Sequence, residues 1–256
     1  MGIPMCVLKA VQNERESLER GETMRALELP PRLHLIAGWV PKGTRLADVG
    51  TDHAYLPNWL RLHGKIREAI ASDLRPGPLE RARNTGRLYG TDGIEYRLCS
   101  GLSGIRPSEV DTIVIAGMGG ELIVNILENG LAKLENCSRP VKELVLSPHK
   151  RGDLVRKYLE EHKWHITDEK MLIDMNKFYT IIKAEKGQES YPYLETELLY
   201  GRILLDRQDA TLKKYLDKEN AKFQKIKQKM IENQSKDLLE VEKILEYNRV
   251  GRESYD

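Results

Sequence analysis

Short apolar runs alternate along the chain with longer segments whose apolar residues recur at helical spacing. The runs predict strands at 45–49, 68–73, 94–99, 110–116 and 142–147. The other segments predict helices at 33–40, 54–63, 76–88, 121–128 and 153–162. Two last runs, 164–172 and 178–186, predict an antiparallel pair of strands. Because strands alternate with helices, we expect an α/β fold with a doubly wound parallel sheet.

The pattern changes after Gly187. Apolar residues then recur at helical spacing over 193–247, and a polar stretch at 233–237 interrupts them. This predicts two long helices that form an antiparallel hairpin of coiled-coil type. The first 26 residues are polar and aperiodic, which indicates a disordered extension; a start of the natural chain at Met24 explains them equally well. The predicted organisation is an extension over 1–26, an α/β domain over 27–187 and a helical hairpin over 188–256.

Composition narrows the class of protein. Of 256 residues, 40% are hydrophobic and 31% charged, and the net charge is only +2, so any contact with RNA must come from a local patch. No apolar run approaches the ~18 residues of a membrane helix. The three cysteines are irregularly spaced, which favours reduced thiols in the cytoplasm over a disulfide framework or a metal site.

The turn after the first strand carries the strongest functional signal. Asp48 closes the strand, Gly50 follows, and Asp52, His53 and Tyr55 come next. The turn lacks the G-x-G-x-x-G spacing that holds a pyrophosphate. A carboxylate there repels phosphate and suits the amino group of a methionine moiety. The turn therefore favours S-adenosylmethionine over a dinucleotide as cofactor.

Two later strand ends extend this site. Asp73 closes the second strand, where an acid can bind the two ribose hydroxyls; alone, each acid could equally be a solvated carboxylate or a helix cap. Three glycines in the segment 116–120 clear space for a ligand at the end of the fourth strand. That segment lacks the Asn/Asp-Pro-Pro-aromatic quartet of exocyclic-amine methyltransferases. A ring nitrogen needs no such quartet, because its lone pair is already available.

The segments 48–57 and 115–120 together closely resemble the bacterial tRNA (adenine-22-N1)-methyltransferase family, over about residues 29–247. The resemblance implies a Rossmann-like class I methyltransferase domain, S-adenosylmethionine as cofactor and tRNA as partner. It places Asp52, His53 and Tyr55 on a target-facing turn. The predicted cofactor-binding residues are Asp48, Gly50, Thr51, His53, Asp73, Leu74, Ser100, Gly101, Leu102, Ala116, Gly117 and Met118. Two departures from the family are Ser100, where members often carry Asp, and His149, where members often carry Asn.

The expected function is methyl transfer from S-adenosylmethionine to N1 of an adenine in tRNA. Asp52 is the predicted stabiliser of the developing cation and Tyr55 the predicted stacking platform for the extruded base. No metal is expected, and a monomer is favoured. The arginines expected to hold phosphate at the rim are Arg32, Arg75 and Arg83. The lysines of 213–229 are either a solvated helix face or a contact with the RNA backbone.

Two other functions remain open at this stage. One is a catalytically inactive RNA-binding protein on a methyltransferase fold, which the intact Asp48, Asp73 and glycine segment disfavour. The other is a nicotinamide-dependent oxidoreductase, which the missing pyrophosphate fingerprint disfavours.

Overall fold

The computed structural model describes residues 26–233 and 238–255. Residues 1–25 of the predicted extension, Met24 among them, lie outside the described residues, as do 234–237 of the predicted interhelical break.

The described chain alternates strands and helices up to residue 186 and is helical beyond residue 195. The strands are β1 Arg45–Val49, β2 Glu68–Asp73, β3 Ile94–Leu98, β4 Thr112–Met118, β5 Glu143–Pro148, β6 Trp164–Asp174 and β7 Lys177–Lys186. The helices are α1 Pro31–Trp39, α2 Tyr55–Leu62, α3 Pro76–Tyr89, α4 Gly120–Glu128, α5 Leu131–Glu135, α6 Gly152–Glu161, α7 Glu195–Tyr200, α8 Arg202–Asp206, α9 Ala210–Glu232 and α10 Leu238–Glu253.

The strands form one seven-stranded sheet in the order β3-β2-β1-β4-β5-β7-β6. Strands β1 to β5 pair in parallel, whereas β7 is antiparallel to both β5 and β6. The order reverses between β1 and β4, which is the switch point at which ligands bind in sheets of this kind. The predicted doubly wound α/β fold and the final strand pair are confirmed.

The core lies on both faces of the central strands. All five residues of β1 are buried. Along β4, Ile113 and Ile115 pack into the larger apolar cluster, whereas Val114 packs with Leu46 and Ile36 on the opposite face. This alternation follows from the two-residue period of a strand. A strand buried on both faces must be apolar throughout, which is why β4 was recognisable in the sequence.

The C-terminal region differs from the prediction of two long helices from residue 193. Two short helices, α7 and α8, come first, separated by Gly201 with φ +94°. They belong to the α/β unit, because the buried Arg156 donates to the carbonyl of Leu198 at 2.7 Å and pairs with Glu169 of β6 at 2.7 Å. The first long helix begins only after Asp209, whose side chain caps it by accepting from two backbone amides.

Helices α9 and α10 pack against each other as an antiparallel hairpin. Asp217 pairs with Arg252 at 3.2 Å and Lys227 with Glu242 at 2.8 Å, so one chain direction runs against the other. The base of the hairpin is buried on the sheet domain, where Leu212 joins a small apolar cluster. The predicted helical hairpin is confirmed, with its long helices confined to 210–253.

Candidate functional site

Two buried carboxylates lie side by side at the carboxyl edge of the sheet. Asp48 is on β1, and its Oδ2 accepts a hydrogen bond from the Thr51 hydroxyl. The pKa of Asp48 is raised to about 6, mainly by burial and in part by the charge of Asp73, while the hydrogen bond from Thr51 opposes the rise. Asp73 closes β2, and its Oδ1 accepts from the amide of Arg75 at 2.9 Å. Among the described residues, no cationic side chain pairs with Asp48. The pocket therefore carries an unbalanced negative charge.

The turn after β1 folds back over β2 and meets the end of β4. The amides of Gly50 and Thr51 both donate to the carbonyl of Ser72, at 2.8 and 2.9 Å. Gly50 has φ +75°, and a Cβ added to it would lie 2.0 Å from Cε of Met118. Glycine is favoured there because the φ lies in the left-handed region. The two motifs that sequence analysis singled out thus touch each other.

These features fit S-adenosylmethionine. A buried acid without a cationic partner offers a site for the α-ammonium group of a methionine moiety. The second acid, one strand away, stands where a ribose binds. Leu74 and Leu98 are exposed leucines that follow β2 and close β3, so the same edge offers apolar surface for an adenine ring. A pyrophosphate would meet two carboxylates here, which argues against a dinucleotide.

The structure separates the predicted residues after β3. Ser100 is exposed at the edge, and Gly101, with φ +52°, packs close to Ile126 of α4. The side chain of Leu102 is buried in the main apolar cluster. Leu102 can therefore reach a ligand only through its backbone.

The turn 50–54 and the first residue of α2 present three predicted residues outward, which are Asp52, His53 and Tyr55. Asp52 and Ala54 have φ of 48° and 52°, in the left-handed region. The Asp52 side chain is 58% exposed, and its Oδ1 accepts from Nη2 of Arg81 at 2.6 Å. His53 and Tyr55 stack with ring centroids 5.1 Å apart and an interplanar angle of 7°. The turn therefore combines a paired carboxylate with a flat aromatic surface.

A second group of side chains surrounds the end of β4. Gly117 has φ +87°, and a Cβ added there would lie 3.5 Å from Nε2 of His149 and 3.9 Å from Nη1 of Arg32. The His149 ring meets Tyr179 of β7 edge to face at 5.4 Å. The Arg32 guanidinium lies 5.0 Å from the centroid of the same Tyr179 ring. We call Arg32, Gly117, His149 and Tyr179 the β4 pocket.

Sequence reasoning missed part of this site. Arg81, His149 and Tyr179 received no role, because nothing in the local pattern of α3, β5 or β7 indicates which distant residue each one meets. Of the expected rim arginines, Arg32 lies in the β4 pocket. Arg83 instead donates to the carbonyl of Tyr96 at 3.1 Å and covers that ring, so it is occupied by β3.

Two absences hold for residues 26–233 and 238–255. No cluster of three or more His, Cys, Asp or Glu side chains could hold a metal ion. None of the helices described there is long and apolar enough to cross a membrane.

The sheet order, the two acids and the glycine turn between them define a Rossmann-like S-adenosylmethionine-dependent methyltransferase. Comparison with known proteins gives the family. The family described as tRNA (adenine(22)-N(1))-methyltransferase, TrmK, matches residues 46–249. The chain belongs to this family of S-adenosylmethionine-dependent enzymes.

Individual relatives agree with the family match. The chain is 36% identical over 198 residues to the tRNA (adenine(22)-N(1))-methyltransferase of Bacillus subtilis, covering 75% of this chain and 82% of that protein. A Streptococcus pneumoniae structure in complex with S-adenosyl-L-methionine has 32% identity and a TM-score of 0.78, covering 88% of this chain and 100% of that one. Mycoplasma capricolum TrmK in complex with S-adenosyl-homocysteine has 25% identity and a TM-score of 0.79, covering 89% and 99%.

Proposed function

We propose that the carboxyl edge of the sheet binds S-adenosylmethionine and directs its methyl group to N1 of an adenine in tRNA, adenine 22 by family membership. The observation that carries this proposal is the pair of buried acids Asp48 and Asp73 beside the turn at Gly50. We place the reaction in the cytoplasm, where tRNA is the substrate.

The proposed cofactor contacts follow from the chemistry of each side chain. Asp48, as a carboxylate, takes the α-ammonium group, and Thr51 holds that carboxylate in place. Asp73 accepts from the ribose hydroxyls. Gly117 lets the backbone approach the ligand, since it carries no side chain, and Gly50 forms the turn that brings Asp48 and Thr51 to the site. The bound cofactor supplies a methyl group on a sulfonium, which passes to the lone pair of adenine N1 as the carbon–sulfur bond breaks.

The protein's task at the acceptor is to orient the base and to stabilise its new positive charge. The stacked rings of His53 and Tyr55 offer a platform for an extruded adenine. Asp52 lies at the same turn, and its negative charge stabilises the positive charge that develops on the base. Its ion pair with Arg81 holds the carboxylate in one orientation, so little reorganisation is needed when the base becomes charged. Positioning of the two reactants supplies most of the rate.

The helical hairpin supplies the contact with the RNA backbone. Helix α9 carries five exposed lysines that fall within an arc of roughly 80° and extend over roughly 22 Å of helix. They are Lys214, Lys218, Lys222, Lys225 and Lys229. We call them the lysine stripe. The stripe begins beside the sheet, where Nζ of Lys218 lies 5.4 Å from the Phe178 ring centroid of β7. A basic stripe of this length suits a large folded RNA better than a free nucleoside.

A thermal-shift comparison tests the cofactor class. We expect S-adenosyl-homocysteine to raise the melting temperature and NAD to leave it unchanged. Stabilisation by NAD alone would favour an oxidoreductase instead. Stabilisation by neither ligand, with retained tRNA binding, would favour an inactive RNA-binding protein.

A further inference from the structure

Arg32 is the member of the β4 pocket whose side chain has a buried polar atom without a partner among the described residues. Its Nη1 is buried and has no hydrogen-bond partner within the described part of the chain. No carboxylate there lies within ion-pair distance of its guanidinium. Arginine stays protonated at any ordinary pH, so deprotonation cannot lower the cost of the missing partner. A buried donor without a partner is costly, which indicates that something else completes the site.

The guanidinium is held in one orientation. Its Cζ lies 5.0 Å from the centroid of the Tyr179 ring, and the His149 ring meets the same Tyr179 ring at 5.4 Å. Nη1 of Arg32 lies 3.9 Å from the position that a Cβ of Gly117 would take, so this donor borders the space left by the missing side chain.

The charge of the pocket also calls for an anion. Burial lowers the pKa of His149, and the positive charges of Arg32 and Lys177 lower it further, so the imidazole is neutral at neutral pH. The positive charge therefore belongs to Arg32 and Lys177. An oxyanion bound to Arg32 would balance the positive charge of the guanidinium.

We infer that Arg32, clamped against Tyr179 beside Gly117, binds an oxyanion of the reacting complex. The inference rests on the proposed function and adds to it a named anchor and its ligand chemistry. A planar guanidinium fork matches both a carboxylate and a phosphate. The oxyanion is thus the α-carboxylate of the cofactor's methionine moiety or a backbone phosphate of the tRNA.

The experiment compares the wild-type protein with R32Q and with R87Q, a control at an exposed arginine on the outer side of α3 that is 70% exposed. Calorimetry measures the affinity for S-adenosyl-homocysteine and for 5′-methylthioadenosine, which lacks the amino-acid carboxylate. Steady-state methylation measures kcat and KM for tRNA. Thermal melting confirms that each variant is folded.

If the oxyanion is the cofactor carboxylate, R32Q weakens S-adenosyl-homocysteine about 10- to 100-fold and leaves methylthioadenosine unchanged. If it is a phosphate, R32Q leaves both nucleosides unchanged and raises KM for tRNA by about tenfold or more. R32K restores part of the loss in either case, because it returns the charge without the fork.

Two results overturn the inference. In the first, R32Q matches R87Q in both nucleoside affinities and in the KM for tRNA. In the second, R32Q weakens the binding of both nucleosides equally. Failure of the proposed function is distinguishable, because then the wild-type protein itself would not methylate tRNA while the nucleoside affinities remained measurable.

Discussion

Phe178 and Tyr179 are consecutive residues of β7 whose rings face opposite sides of the strand. The Phe178 ring meets Tyr215 of α9 at 5.4 Å, whereas the Tyr179 ring lies under the guanidinium of Arg32 at 5.0 Å. One short stretch of β7 therefore contacts both the base of the helical hairpin and the β4 pocket. The proposed RNA-contacting hairpin and the proposed oxyanion site therefore pack against the same strand.

The charged form of Asp48 is expected to bind the cofactor and, in its absence, to lower the stability of the folded protein. The rise of its pKa from 3.8 to about 6 corresponds to a cost of ~3 kcal/mol for holding the charged form in the folded apoprotein. Because the folded-state pKa exceeds the unfolded one, the free energy of unfolding falls by this amount as the pH rises from about 4 to about 6. We expect Asp48→Asn to raise the melting temperature of the apoprotein at pH 8 and to have little effect at pH 4.

The same substitution gives a binding test. Only the carboxylate attracts the α-ammonium group, so we expect affinity for S-adenosyl-homocysteine to fall as the pH drops below about 6. Asp48→Asn should bind weakly at every pH, with no such dependence. Tight, pH-independent binding by the variant in calorimetry would remove Asp48 from the cofactor site.

Asp73 is expected to bind the ribose. Asp73→Ala should weaken S-adenosyl-homocysteine by about 1.5–3 kcal/mol, the typical worth of hydrogen bonds to a charged group. The variant also loses the bond from the Arg75 amide, so thermal melting must show that the fold persists. Unchanged affinity in a folded variant would contradict the ribose assignment.

Much of this site could be predicted from the sequence, because its main parts are local. The bounds of β1 and β2 match the prediction, since each is a largely apolar run with an acid at or next to its end. The Gly50 turn and the glycines after residue 116 stand out for the same reason. The start of α9 was predicted too early, because the apolar rhythm continues through α7 and α8. The cap at Asp209 and the break at Gly201 determine where α9 begins. Each involves only a few residues, so the apolar rhythm of the longer segment does not show them.

The contacts of Arg32, Tyr179 and His149 could not be predicted in this way. They join α1, β7 and the end of β5, and only the strand order brings those segments together. The pairing of Asp52 with Arg81 is of the same kind. Local pattern finds residues whose chemistry follows from their own turn, and it misses those whose partner lies on another element.

Asp52 is expected to act on the reaction and not on cofactor binding. Asp52→Asn removes the negative charge that faces the developing cation, while the turn and the Arg81 hydrogen bond can persist. We expect unchanged affinity for S-adenosyl-homocysteine and a slower single-turnover rate at saturating cofactor. An unchanged rate would exclude Asp52 from catalysis. A loss of cofactor affinity would assign Asp52 to cofactor binding instead.

The lysine stripe is expected to bind the tRNA backbone. Replacing Lys218, Lys222 and Lys225 together by Gln should weaken tRNA binding and lower the slope of log affinity against log salt by about two to three. A control with the same change in net charge replaces Lys133, Lys157 and Lys163, which lie on other helices and loops. Equal effects of the two triple variants would show that only net charge matters, and the stripe would lose its role.

The central claim is that this protein methylates N1 of an adenine in tRNA. The most direct measurement incubates the purified chain with labelled S-adenosylmethionine and tRNA, then digests the product and separates 1-methyladenosine from N6-methyladenosine. We expect the label in 1-methyladenosine alone, mapped to adenine 22, and none in a tRNA with guanine at that position. Label at the exocyclic amine, or tRNA that stays unlabelled while S-adenosyl-homocysteine binds, would contradict the account.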